Sequence, residues 1–139
     1  MTAKRSSQAN LEVLAYDHVG IRVRDRARSV EFYGRLGFEV VYEDDHEPVV
    51  ILRNRHGVEI NLVVNAAAGH GTNVLMDVDE KHAGHTHIAL LVGPMTEVVG
   101  ELDRLGIPLS GGPVWLGGAE SCFIRDPDRN VIELRSNHH

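Results

Sequence analysis

The chain has 139 residues, enough for one domain whose core needs no disulfide or metal staple. Its 14 Lys and Arg against 20 Asp and Glu give a formal charge of -6, the wrong sign for binding nucleic-acid phosphates or an anionic membrane, so a small molecule is the expected partner. The single cysteine, Cys122, rules out an intrachain disulfide; flanked by Phe123 and Ile124, it reads as a buried structural thiol in a reduced, cytoplasmic setting.

The polar start MTAKRSSQAN has no apolar signal segment, and no run approaches the ~18 apolar residues of a membrane span. Residues 1–14 are expected to be a flexible N-terminus. The tail 137–139, with His138 and His139, is set aside from the fold argument. Residues 16–24, YDHVGIRVR, alternate: Val19, Ile21 and Val23 on one face, His18, Gly20, Arg22 and Arg24 on the other, which predicts a strand with one core face. A helix follows, with Asp25 as N-cap, Phe32 and Leu36 four apart and Gly37 as its stop. Residues 38–43 and 48–53 read as strands, and Asn54-Arg55-His56-Gly57 turns the chain into a last strand over 58–63.

The same order returns after a linker of mixed polarity over residues 65–83. HTHIALLV (85–92) is a strand. Residues 94–105 make a helix with Met95, Val98, Val99, Leu102 and Leu105 on one stripe and Gly106 at its end. Strands around Val114-Trp115 and Cys122-Phe123-Ile124 follow, then a turn at Asp126-Pro127-Asp128-Arg129-Asn130 and a strand over 131–135. The chain thus predicts an α+β fold of two β-α-β-β-β modules, residues 15–64 and 84–136. Phe32 and Trp115 are expected in the core or a pocket wall. The acids of the 126–130 turn are expected to serve the turn.

Each module carries a histidine near its first strand and a glutamate in its last: His18 and Glu59, 41 residues apart, and His87 and Glu133, 46 apart. Glu59 and Asn61 alternate with Val58, Ile60 and Leu62; Glu133 alternates with Ile132 and Leu134. Carboxylates inside apolar strands are costly unless paired or bound to a cation. Two imidazoles and two carboxylates suit one divalent ion, with Zn, Ni, Co, Mn or Fe(II) favoured and positions left for water or substrate. Of the histidines around residue 85, His87 alone matches the place of His18. His85 is read as a rim residue; His82, His46 and His56 are read as surface.

The stretches DHVGIRVRDRARSVEFYGRLGFEV, GVEINLV, GHTHIAL and FIRDPDRNVIEL, spanning residues 16–136, resemble the vicinal oxygen chelate superfamily, which includes glyoxalase I, bleomycin-resistance proteins and extradiol dioxygenases. The resemblance implies a curved eight-stranded mixed sheet around a cleft with helices outside, and His18, Glu59, His87 and Glu133 as metal ligands. It further implies Glu133 and Glu59 as catalytic carboxylates, Glu133 moving a proton next to a metal-polarised carbonyl through an enediolate. Arg22, Asn61 and His85 are the substrate-binding candidates, and glutathione is a candidate co-substrate. Where the glyoxalase I pattern carries an asparagine four residues after the first Glu, this chain has Val63.

The expected activity is a metal-dependent lyase or isomerase. An iron(II) ring-cleaving dioxygenase using His18, His87 and Glu133, and a metal-free drug- or metabolite-binding protein, are the alternatives. Exposed sheet edges predict a homodimer.

Overall fold

The computed structural model describes residues 10–69 and 71–136. Most of the flexible segment expected at the N-terminus, residues 1–9, and the tail with His138 and His139 lie outside the described residues. The elements are β1 (Val19–Arg22), α1 (Arg26–Arg35), β2 (Glu39–Glu43), β3 (Val49–Arg53) and β4 (Glu59–Val63), then β5 (His87–Val92), α2 (Met95–Arg104), β6 (Gly111–Leu116), β7 (Ala119–Arg125) and β8 (Val131–Ser136). This is β-α-β-β-β twice, in the predicted order.

The eight strands form two four-stranded mixed sheets, ordered β1-β4-β3-β2 and β5-β8-β7-β6. In each, the first strand runs parallel to the last while the three later strands meander antiparallel. The parallel pairing follows from the helix between the first and second strands, which carries the chain back across the sheet.

Both helices end alike. Gly37 (φ 96°) and Gly106 (φ 73°) adopt the left-handed conformation that a side chain disfavours. That reversal lets the next amide close on the helix, Phe38 N–H to the Tyr33 carbonyl and Ile107 N–H to that of Leu102, and buries the Phe38 and Ile107 side chains. The starts differ: the Asp25 carboxylate accepts the Arg28 N–H at 2.9 Å, whereas Pro94 provides no side-chain cap.

Phe32 and Tyr33 of α1 and Met95 and Leu102 of α2 join Ile21, Val50, Leu52, Ile60, Leu62, Cys122, Ile124, Ile132 and Leu134 in one core. Each large side chain buried there contributes about 1.5–3 kcal/mol. Cys122 is fully buried, as its flanks predict, and desolvation raises its pKa. Phe32 is core, but Trp115 is not: it stands 63% exposed on β6 at the sheet edge, among the exposed Val114 and Leu116. The first strand is shorter than its 16–24 alternation predicts, so His18 precedes β1; likewise His85 precedes β5.

The 126–130 turn does serve the hairpin, Asp126 accepting the Asp128 and Asn130 amides at 2.9 Å. It also ties the modules together. Tyr33 donates its hydroxyl to Asp126 at 2.9 Å, and Arg24 and Arg28 donate to Asp128 at 2.6 and 3.1 Å. Burial raises the pKa of Asp126 and of Tyr33. The linker is anchored too, because Asp77 accepts from Arg125 and Arg129, which hold its carboxyl far below the usual carboxylate range. No helix among the described residues is long and apolar enough to cross a membrane.

Candidate metal centre

β4 and β8 are the inner strands that carry the acidic candidates. Ile60 and Leu62 of β4, and Ile132 and Leu134 of β8, are buried beneath the helices, so the intervening Glu59, Asn61 and Glu133 leave by the opposite, open face. The alternation predicted this for all three.

In the second module the pair is formed. His87 Nε2 lies 3.0 Å from Glu133 Oε1, and the Thr86 hydroxyl lies 2.9 Å from the other ring nitrogen, so the imidazole is held at both nitrogens. Phe123 packs edge-on against the ring, with centroids 6.3 Å apart. Glu133 is a mostly buried carboxylate, its side chain 12% exposed. Its second oxygen accepts the hydroxyl of Ser121, itself fully buried on β7, at 2.6 Å. The sequence reading missed Ser121; its place on the strand beside β8, two residues out of step with Glu133, was the available signal.

The first module is arranged differently. His18 Nδ1 lies 2.7 Å from Asp17 and 3.8 Å from Glu59, and Glu59 accepts from Arg53 at 2.7 Å. Asp17, His18 and Glu59 place ligand atoms within 4.8 Å of one another; His87 and Glu133 do not join them, and this is the only such group of three among the described residues. One chain therefore presents two separate groups of candidate donors rather than one four-residue cluster.

Strand register also separates the two glutamates. Gly20 is level with Asn61, and Ala89 is level with Glu133. One step before the pair Val19–Ile60, His18 faces Glu59, whereas His87 faces Val131. Matched through their histidines, Glu133 corresponds to Asn61 and Glu59 corresponds to Val131. The equivalence of Glu59 with Glu133 drawn from the 41- and 46-residue spacings is thereby corrected: those spacings count loop residues, and the second module has a longer path between its helix and third strand.

The remaining candidates fall as follows. Arg22 Nε donates to Asn65 at 3.0 Å and is exposed, on the open face beside Asn61. Asn61 Oδ1 is buried without a hydrogen-bond partner. His85 is exposed on the approach to β5, and His82 is linker surface with Glu80 at 3.9 Å. The donors on the open faces, two imidazoles, a desolvated carboxylate and an orphaned amide oxygen, fit a divalent cation of borderline to hard character.

The paired mixed sheets, each backed by a helix and carrying polar donors on its open face, define a two-module fold whose open faces can gather a small ligand. The family model of the Glyoxalase/Bleomycin resistance protein/Dioxygenase superfamily matches residues 15–134, and the chain belongs to that superfamily. It is 28% identical over 128 residues to virulence protein STM3117 of Salmonella typhimurium, covering 85% of this chain and 81% of that protein. The fold is similar to that of a glyoxalase/dioxygenase from Nostoc punctiforme, with TM-score 0.73 at 18% identity, covering 99% of this chain and 100% of that one. It is also similar to that of a bleomycin-binding protein complexed with bleomycin, with TM-score 0.64 at 21% identity over 90% of this chain and 100% of that one.

Proposed function

We propose that the protein is a divalent-metal-dependent lyase or isomerase of glyoxalase type, acting on a small oxygen-bearing substrate, with His18, His87 and Glu133 as metal ligands. The observation that carries this reading is the His87–Glu133 pair, 3.0 Å apart on an open sheet face, with His18 at the matching place in the other module. A carboxylate so buried, with a hydroxyl donor on one oxygen and an imidazole on the other, is oriented for more than solubility.

Because one chain holds the half-sites apart, two copies complete the centre, the first module of one facing the second module of its partner. The apolar side chains left exposed on strand faces, Leu91, Val114, Trp115 and Leu116 in the second module and Val41 and Tyr42 in the first, suit cover by a second copy.

A bound divalent ion would polarise a substrate oxygen and acidify the neighbouring C–H. The chain then supplies the proton transfer. Glu133 would accept the proton on Oε1, the oxygen facing His87, once that oxygen is free of the ion, and return it to the adjacent carbon, while Ser121 holds Oε2 in place. Arg22, beside Gly20 on the open face, contacts the substrate, and His85 stands at the rim. His87 would hold the ion through Nε2, since Thr86 engages Nδ1 and fixes the ring.

The test is metal content and turnover. The purified protein reconstituted with Ni, Co, Zn, Mn or Fe(II) is expected to hold about one ion per site, and Glu133→Gln to lower turnover by about 1000-fold while leaving the thermal transition in place. A protein that takes up none of these ions is a metal-free binder, and the reading fails. Turnover of a glutathione hemithioacetal would narrow the substrate. A second reading, an iron(II) ring-cleaving dioxygenase, is favoured by the engagement of Glu59 with Arg53, which leaves two histidines and one carboxylate. Turnover that stops without dioxygen identifies it.

A further inference from the structure

The geometry points to Asn61, not Glu59, as the fourth protein donor of the centre, with Glu59 acting as the counter-ion of Arg53. The assignment rests on the metal-dependent reading above and deepens it. Asn61 stands to His18 as Glu133 stands to His87, two residues farther along the adjacent parallel strand and on the same face. Its neighbours match as well: Ile60 and Leu62 are buried like Ile132 and Leu134.

Two further observations are independent of register. The first is that Asn61 Oδ1 is a buried acceptor with nothing donating to it, a costly state that a cation would relieve. Gly20, level with it on β1, has open space where a Cβ would stand.

The second concerns Glu59, which already has a partner. Arg53 pairs with it across β3 and β4, as Arg125 pairs with Val131 across β7 and β8. Arg125 has no acid at the facing position on β8 and takes Asp77 from the linker instead. Both modules thus provide an arginine at this strand end and an acid to neutralise it, and Glu59 fills that place in the first. Val49, the counterpart of Ser121 by register, brings no hydroxyl to Asn61, and a neutral amide oxygen has no second charged oxygen to hold. The protein donors then carry one negative charge rather than two, so a divalent ion at the centre keeps a net positive charge, which suits a substrate binding through an anionic oxygen.

Co(II) titration of the full-length protein tests this, read as affinity and as the visible absorption spectrum of the ion. Glu59→Gln is expected to leave affinity within about threefold and the spectrum unchanged. Asn61→Ala is expected to weaken binding by about tenfold and alter the spectrum, and the isosteric Asn61→Asp to tighten it. A tenfold loss with Glu59→Gln, or unchanged affinity and spectrum with both Asn61 variants, overturns the assignment. Wild-type protein that takes up no Co(II) rejects the metal reading itself and this assignment with it, a result distinct from either.

Discussion

Asn54 and Asp126 open the same turn in the two modules. Each side-chain oxygen accepts the amide protons two and four residues on, and Gly57 and Arg129 take the left-handed conformation at the same step. Yet Arg55, His56 and Gly57 of the Asn54 turn are exposed, while the other turn has Asp126 buried and is bound to Tyr33, Arg24 and Arg28 of the first module. The centre divides similarly. The second module presents a carboxylate held by Ser121 beside its histidine, whereas the first presents an amide oxygen and has Glu59 tied to arginine. A repeated backbone thus repeats shape without repeating charge.

The largest effect expected from breaking this division is on activity. His18→Ala and His87→Ala each remove a proposed ligand and should each be inactive. Mixing and re-pairing the two variants should restore about a quarter of wild-type turnover, because half the random dimers carry one intact centre of two. A mixture as dead as its components would place both half-sites within one chain.

Stability separates the turns next. Asp126→Ala strips the Asp128, Asn130 and Tyr33 donors of a buried acceptor and should cost about 3 kcal/mol in urea unfolding, against about 1 kcal/mol for Asn54→Ala on the surface. Equal costs would mean that the contacts across the modules contribute nothing.

The smallest effect tests the support of the carboxylate. Ser121→Ala should weaken Co(II) binding by about tenfold with little change in unfolding, while Val49→Ala leaves metal affinity unchanged. Equal metal affinities in these two variants would remove Ser121 from the centre.

Much of this architecture was legible in the chain. The period-two runs at Val19-Ile21-Val23 and Ile60-Leu62, the Asp25 cap and the glycines ending both helices announce their elements through local sterics and hydrogen bonding, which need no distant partner. The placement of Glu59, Asn61 and Glu133 on the open faces followed from the same alternation. Register did not, since it depends on how many residues the intervening hairpins absorb, and a two-residue error preserves the face while exchanging Glu59 for Asn61. The reach of Asp126 to Tyr33 and of Asp77 to Arg125 joins residues far apart in sequence, and no short pattern encodes such pairings. Trp115 was read from its apolar character alone, which carries no information about whether its strand lies at an edge.

The 126–130 turn has one more consequence. Because it fastens the second module's last hairpin to the first module's helix, it sets the distance between the two donor groups that the proposed dimer would share. It works as a gauge block: a change there, remote from every donor atom, would alter the spacing of both centres in a dimer at once and by the same amount.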